Sequence, residues 1–221
     1  MSDQRKAASV SSISQSSPQA RGRRTGPRKS DQTREAILTA ALEFLRDHPF
    51  RDLTVGNLMR DTDASRPTFY QYFNDLHELM GVLLGSLRDD ILNAAAPWFT
   101  GEGDPIPRLK VSLEGLVKVC YERGTLLRAV QEASVSDAGL EKSWQELLQG
   151  FDDAVATTIE REQSQGVIQP FAAQPVAIAL NRLDAALMIE HFGRHPRANQ
   201  TEVLAAITRI WCSTLYGVNE A

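Results

Sequence analysis

Beyond residue 30, apolar positions recur three and four apart almost everywhere and nowhere alternate for the length of a strand, so the pattern predicts an all-α protein. Ile37, Leu38, Ala41, Leu42, Phe44 and Leu45 mark a first helix opening at Ser30 or Asp31. His48-Pro49 closes it, because a residue before proline avoids the helical region. Thr54 is the expected N-cap of a short helix over roughly residues 55–61, with Leu53 and Leu58 spaced as a hydrophobic staple around it. A tight connection, Thr62-Asp63-Ala64, leads to a second expected N-cap, Ser65. Pro67 then falls in a first turn, where its missing N–H has no partner to lose. In the resulting helix, residues 65–73, Phe69 and Phe73 share a face that suits a core, while Arg66, Thr68, Tyr70, Gln71 and Tyr72 spread over the rest.

Longer helices follow. Leu76, Leu79, Met80, Leu83, Leu84, Leu87 and Ile91 predict a fourth helix ending near Pro97, with a loop over 101–107. Two more are expected over 109–123 and 125–134, then a stripe of Trp144, Leu147, Leu148, Phe151, Val155 and Ile159 closed by Gly166 and Pro170. Val176, Leu180, Leu183 and Leu187 mark the next helix. Val203, Ile207, Ile210, Trp211 and Leu215 mark the last, with His195-Pro196 between the two. The organisation expected is a basic arm, residues 1–29, a three-helix unit, 30–75, and a six-helix unit, 76–221. The arm lacks any hydrophobic period and reads as disordered in isolation.

Charge sharpens this division. Residues 1–30 carry Arg5, Lys6, Arg21, Arg23, Arg24, Arg28 and Lys29 against Asp3 alone, a net +6 that leaves about −10 on the remainder of a chain whose total is −4. An acidic body with a basic arm suits a local, oriented phosphate contact; a solubilising tail is the competing reading. No run approaches about 18 apolar residues and the N-terminus has no apolar signal region, so a soluble, cytoplasmic protein without a membrane span is expected. Cys120 and Cys212 lack ligand or redox spacing and read as buried thiols. His191 and His195 stand four apart, but Gly193 and Pro196 interrupt the helix between them and no third ligand lies near. GxSxG, HExxH and phosphate-cradling glycine loops are absent. Neither an enzyme, nor a metal site, nor a cofactor is expected.

Two short helices joined by a three-residue turn, the second turning polar and aromatic side chains outward, fit a helix-turn-helix whose second helix enters a DNA major groove. The competing reading has Tyr70 and Tyr72 merely packing the first helix against the fourth. An exposed set of Arg66, Thr68 and Gln71 favours base and phosphate contact.

Thr54-Val55, then Ser65, Thr68, Phe69, Tyr70, Tyr72 and Phe73, with an acidic, leucine-rich fourth helix behind, resemble the TetR family of bacterial transcriptional regulators over residues 31 to about 85. The plan of three small helices and a six-helix remainder is similar too. A narrower likeness to one branch of that family rests on RGRR-T before the first helix, Ala179-Leu180-Asn181, Ile210-Trp211 and Tyr216-Gly217. The resemblance implies a homodimeric DNA-binding repressor, released from a pseudo-palindromic double-stranded operator by a small lipophilic effector; an adaptor that binds DNA and senses nothing is the rival. It implies that Tyr70 and Tyr72 hold phosphates, that Pro67 and Thr68 touch thymine methyls or backbone, and that Arg66 and Gln71 read base edges. Thr54 and Ser65 would belong to the same reading unit, and Arg21, Arg23 and Arg24 would follow the adjacent groove. The dimer contact is expected from Leu180, Leu187, Val203, Ile207 and Leu215. Candidates for an effector cavity are Trp98, Phe99, Leu113, Leu116, Val117, Trp144, Leu148, Phe151, Asn181, Asp184 and Trp211, with ordinary core packing as the alternative. The resemblance favours Trp144, Asn181 and Trp211 among them.

Three positions depart from the family pattern. Asp63 stands where a turn glycine is usual, and Leu76 where a lysine usually meets a phosphate. His77, Arg60, the basic arm or a bare helix N-terminus are the candidates to replace that lysine. Asp184 stands where the branch has a second asparagine, inviting a cationic or hydrogen-donating ligand, or an internal pair with Arg182 or Arg128.

Overall fold

The computed structural model describes residues 29–62 and 64–218. Among them eight α-helices and two 3-10 turns account for the regular structure, without a strand. In chain order they are α1 (Lys29–Asp47), a 3-10 turn (Phe50–Asp52), α2 (Val55–Leu58) continued by a second turn (Met59–Asp61), α3 (Arg66–Phe69), α4 (Leu76–Thr100), α5 (Pro105–Ser134), α6 (Ala138–Ser164), α7 (Ala173–Phe192) and α8 (Gln200–Tyr216).

The three N-terminal helices close around Ile37, Leu45, Leu58, Phe69 and Phe73, all essentially without solvent exposure. Arg34 covers the outer side of this core, its guanidinium 5.4 Å from the Phe73 ring centroid. α3 is shorter than the expected 65–73. Its last helical residue is Phe69, and Tyr70 caps it at φ −69°, ψ −7°. Three aromatics in four positions favour helix weakly, and the chain must turn before α4 begins.

α4 was expected to stop near Pro97 but continues to Thr100. Proline removes a backbone donor and crowds the preceding turn. A neighbouring helix repairs the damage: Trp98 N–H donates to Ser112 Oγ at 3.0 Å, and Ser112 Oγ donates to the Ala95 carbonyl at 3.1 Å. Two cations then satisfy the carbonyls at the end of α4. Arg161 Nη1 donates to Phe99 O at 2.7 Å, and Arg108 Nη1 donates to Gly101 O.

The two helices expected over 109–123 and 125–134 are the two segments of α5, which meet at a kink where Arg123 is non-helical (φ −115°, ψ 16°). Its start lies earlier than expected, because Pro105 and Pro107 fit a first turn whose N–H groups have no intrahelical partner. Just past the kink, Gly124 presses on the end of α7, where a Cβ would stand 2.5 Å from Phe192 O. At the far end of the body, Glu162, 2% exposed, accepts a 2.7 Å hydrogen bond from the Tyr216 hydroxyl, which itself accepts from Trp98 Nε1 at 2.9 Å. Arg108 and Arg161 each stand 3.7 Å from the Glu162 carboxylate. One buried charge thus ties α4, α5, α6 and α8 together. No helix among the described residues is long and apolar enough to cross a membrane.

Candidate functional site

The first candidate surface is α3 with the start of α2. Thr54 caps α2, accepting from Asn57 N–H at 3.1 Å, while its own N–H donates to Asn57 Oδ1 at 2.7 Å. Asn57 therefore completes a capping box that the expected Leu53/Leu58 staple did not include. Ser65 occupies the N-cap position of α3, yet its hydroxyl bonds to Thr68 Oγ1 at 2.9 Å instead of capping the backbone. Arg66, Pro67, Tyr70 and Gln71 are exposed, Tyr70 at 59%. Thr68 and Tyr72 are half-buried, and Tyr72 packs on the core whereas Tyr70 does not. The Arg66 guanidinium lies over Gly56, in space that a side chain there would fill. α2 thereby leaves room for the exposed cation that α3 presents.

The start of α4 offers no substitute for the missing lysine. Leu76 packs against the core, and Asp75 accepts from the Glu78 N–H at 2.8 Å. Glu78 Oε2 accepts from both Asn74 N and Asn74 Nδ2 at 2.7 Å. Two carboxylates at this terminus repel a phosphate. His77 turns toward the body, its Nδ1 4.0 Å from Asp137 and its ring 5.4 Å from Phe50, so it does not replace the lysine either. Arg60, in the turn that continues α2, is exposed. Asp63 and the arm residues Arg21, Arg23 and Arg24 lie outside the described residues.

The second candidate site is a cavity of about 100 Å³ enclosed by five helices. α4 supplies Ile91, Ala95, Trp98 and Phe99; α5 supplies Leu109, Ser112, Leu113, Leu116, Cys120 and Leu127; α6 supplies Trp144, Leu147, Leu148, Phe151 and Val155. α7 contributes Asn181, Asp184, Ala185 and Met188, and α8 contributes Trp211. Ten of the eleven expected residues line it; the eleventh, Val117, is fully buried and is not part of the wall. The unforeseen wall residues mostly lie one turn from foreseen ones, as Ala95 does from Phe99 and Met188 from Asp184. All three tryptophans of the chain face the cavity.

Its polar groups are few and specifically held. Asp184 is 5% exposed, and Trp211 Nε1 donates to both of its carboxylate oxygens, at 3.2 and 3.1 Å. Burial pushes the Asp184 carboxyl up from 3.8 to about 7, against the opposing pull of that hydrogen bond. Burial first, and the Asp184 charge second, push the Cys120 thiol up to about 12, so it is inert as a nucleophile. The cation partners suggested for Asp184 are engaged elsewhere. Arg182 makes two bonds, 3.2 and 2.9 Å, to the fully buried Asp152, and Arg128 pairs with Glu132 at 3.4 Å. Asn181 Nδ2 also donates to Asp152, at 2.9 Å. That bond fixes the amide's orientation, because a carboxylate cannot accept from the amide oxygen.

The family described as transcriptional regulator EthR, C-terminal domain, matches residues 109–217. The HTH-type transcriptional regulator EthR of Mycobacterium tuberculosis is 26% identical over 203 residues, covering 90% of this chain and 94% of that protein. Its Mycolicibacterium smegmatis counterpart is 28% identical over 204 residues, covering 89% and 92%. Among solved structures, a bacterial regulatory protein in the tetR family from Rhodococcus RHA1 superposes with a TM-score of 0.70 at 15% identity, over 83% of this chain and 97% of that one. The TetR family transcriptional regulator PfmR from Thermus thermophilus gives 0.67 at 14% identity, over 79% and 96%.

The chain is similar to the transcriptional regulator EthR along about nine-tenths of its length, and it has the fold of TetR-family structures.

In this EthR-like chain the expected dimer residues are not a free surface. Leu180, Val203, Ile207 and Leu215 are 0–6% exposed in the single chain, and Leu187 is half-buried. Their apolar faces are spent on the chain's own core. The outward faces of α7 and α8 carry Ile178, Ala179, Ala186, Ala205 and Ala206 instead. Among the described residues no group of three or more histidine, cysteine or acidic side chains is gathered as for a metal.

Proposed function

We propose that this regulator is a DNA-binding homodimer, and a repressor released from a pseudo-palindromic operator when a small lipophilic ligand enters the cavity. The observation that carries the reading is α4. This single helix of 25 residues begins a few residues after α3 and ends with Ile91, Ala95, Trp98 and Phe99 in the cavity wall. Reading head and cavity share one rigid element.

On this reading Arg66 and Gln71 contact base edges from α3, Pro67 and Thr68 touch thymine methyls or backbone, and Tyr70 and the hydroxyl of Tyr72 meet phosphates. Arg21, Arg23 and Arg24 supply the electrostatic contact that the acidic start of α4 denies. Two copies join through the outward faces of α7 and α8, where Ala179, Ala186, Ala205 and Ala206 let helices approach closely around Ile178. A DNA-binding adaptor would have no use for a buried carboxyl facing an apolar cavity.

The test is fluorescence anisotropy on labelled DNA from upstream of the chain's own and adjacent genes, with excess random competitor at near-physiological salt. Binding on the order of nanomolar that resists the competitor is expected. Uniformly weak, salt-sensitive binding to every fragment refutes sequence-specific reading. Light scattering that finds a stable monomer at micromolar concentration refutes the dimer.

A further inference from the structure

The cavity presents a carboxylate and an amide carbonyl as acceptors, and no cationic side chain lies in its wall. Asn181 gives one of its two N–H groups to Asp152, and its carbonyl oxygen has no bond to a side chain or backbone donor among the described residues, which leaves that oxygen as an acceptor for a ligand. Asp184 receives one N–H, from Trp211, shared between two oxygens that together offer about four acceptor positions. The two residues lie three apart on α7, which sets them on one face of that helix, and both belong to the cavity wall.

Charge points the same way. On α5 the titratable group in the wall is Cys120, a poor donor, while Arg128 is paired with Glu132. On α6 Asp152 is bonded to Arg182 and Asn181, and Glu162 to Tyr216; α4 and α8 give the wall no titratable side chain. An acidic side chain in an apolar chamber without a cation is what a ligand can complete.

We propose that the effector is a protonated amine with a compact apolar body, its ammonium donating to the Asp184 carboxylate and the Asn181 carbonyl while the body lies among Trp98, Trp144 and Trp211. This deepens the ligand-binding reading above and rests on it. An alcohol of the same shape brings one O–H donor and no charge to those acceptors, and a hydrocarbon brings neither. A carboxylate ligand meets like charge.

The three tryptophans supply the assay, since all face the cavity and the chain has no others. Hexylamine and 1-hexanol, matched in size, are titrated into the full chain at pH 8 and read by tryptophan fluorescence. The amine is expected to bind at least about tenfold tighter. Because the free carboxyl protonates near pH 7, amine affinity falls about tenfold from pH 8 to pH 6, while hexanol affinity does not move. In Asp184→Asn, with folding checked by circular dichroism, the two probes bind within about threefold of each other. Equal binding of amine and alcohol to the wild-type chain, or a pH-independent preference, overturns the amine assignment and leaves the cavity reading standing. Failure of both probes to perturb the tryptophans overturns the cavity reading and this proposal with it. The wild-type pH series decides the matter even if the variant does not fold.

Discussion

Replacing Asp184 by asparagine should stabilise the protein, by an amount that grows with pH. The carboxyl titrates at 3.8 when unperturbed and at about 7 in the fold, because it is buried among apolar walls with one N–H for company. Each tenfold in a proton-binding constant is worth about 1.36 kcal/mol, so ionising Asp184 costs the folded state about 4 kcal/mol more than the unfolded one. The sign runs opposite to that of a salt-bridged aspartate. Between pH 4 and pH 7 the native state binds more protons at this site, so stability falls as pH rises. The penalty is absent below pH 4 and complete above pH 7. Asparagine has the same shape, can accept from Trp211 Nε1, and carries no charge at any pH. Its unpaired NH2 costs about 1–3 kcal/mol, independent of pH, much as the hydroxyl of a protonated Asp184 does. The difference in unfolding free energy between variant and wild type should therefore climb by about 1.4 kcal/mol per pH unit from pH 4 to pH 7 and then level off. Near pH 8 this corresponds to a melting temperature roughly 8–16 °C higher. Urea titrations of both proteins at pH 5, 6, 7 and 8, with protein concentration held constant so that any self-association contributes equally, measure it directly. A difference that stays flat across the series, or that shrinks as pH rises, would refute the argument from burial.

Arg66→Ala removes an exposed side chain from α3, so it should leave the melting temperature alone and cost about 1–3 kcal/mol of discrimination between operator and random DNA in competition anisotropy. Gly124→Ala drives a Cβ to within 2.5 Å of the Phe192 carbonyl, and a backbone neighbour cannot rotate away; a loss of about 1–3 kcal/mol in urea unfolding is expected, and a neutral result would mean that α5 and α7 separate freely. Tyr216→Phe strips the Trp98 Nε1 and Glu162 hydrogen bonds at once and should cost about 2–4 kcal/mol; a double-mutant cycle with Glu162→Gln must then return a non-zero coupling. Removing residues 1–28 should flatten the slope of log K against log salt by about 0.9 for each phosphate that the arm neutralises, and an unchanged slope returns the arm to a solubilising tail.

What could be read from the sequence was whatever depends on neighbours along the chain. Helical period, the Thr54 cap and the tolerance of Pro67 in a first turn are local, and the structure has each of them. What escaped was set by distant partners. Pro97 looked like a terminus because the hydroxyl that repairs it, Ser112, lies 14 residues on from Trp98. Asn181 and Arg182 gather on the buried Asp152 carboxylate across about thirty residues of sequence, so the pairing that frees Asp184 of a cation could not be foreseen. The expected dimer residues lie against the chain's own core for a related reason. Hydrophobic spacing says that Ile207 and Leu215 are covered, but not whether by the same chain or by another. The cavity fared better, since the stripes on α4, α5 and α6 had to converge somewhere, yet Val117 sits on the apolar side of α5 without reaching the chamber.

The size of the cavity bears on how a ligand would be felt at the DNA. About 100 Å³ is well below the roughly 300–1,000 Å³ of ordinary ligand sites, so anything larger than a small amine enters only by displacing the wall. α7 resists displacement through the bonded Asp152 cluster, and the end of α4 is held by Arg108, Arg161 and the Trp98–Tyr216 bond. Those contacts pin α4 at its C-terminal end and leave its other end joined to α3 through a short connection. A helix of 25 residues is about 37 Å long, so a tilt of roughly 5° about the pinned end carries the α3 end through about 3 Å. In a two-fold dimer the displacement is doubled, to about 6 Å against a half-site repeat of about 34 Å. A misfit of that size breaks simultaneous docking of both reading helices. α4 is therefore the element on which wall displacement and operator release would meet.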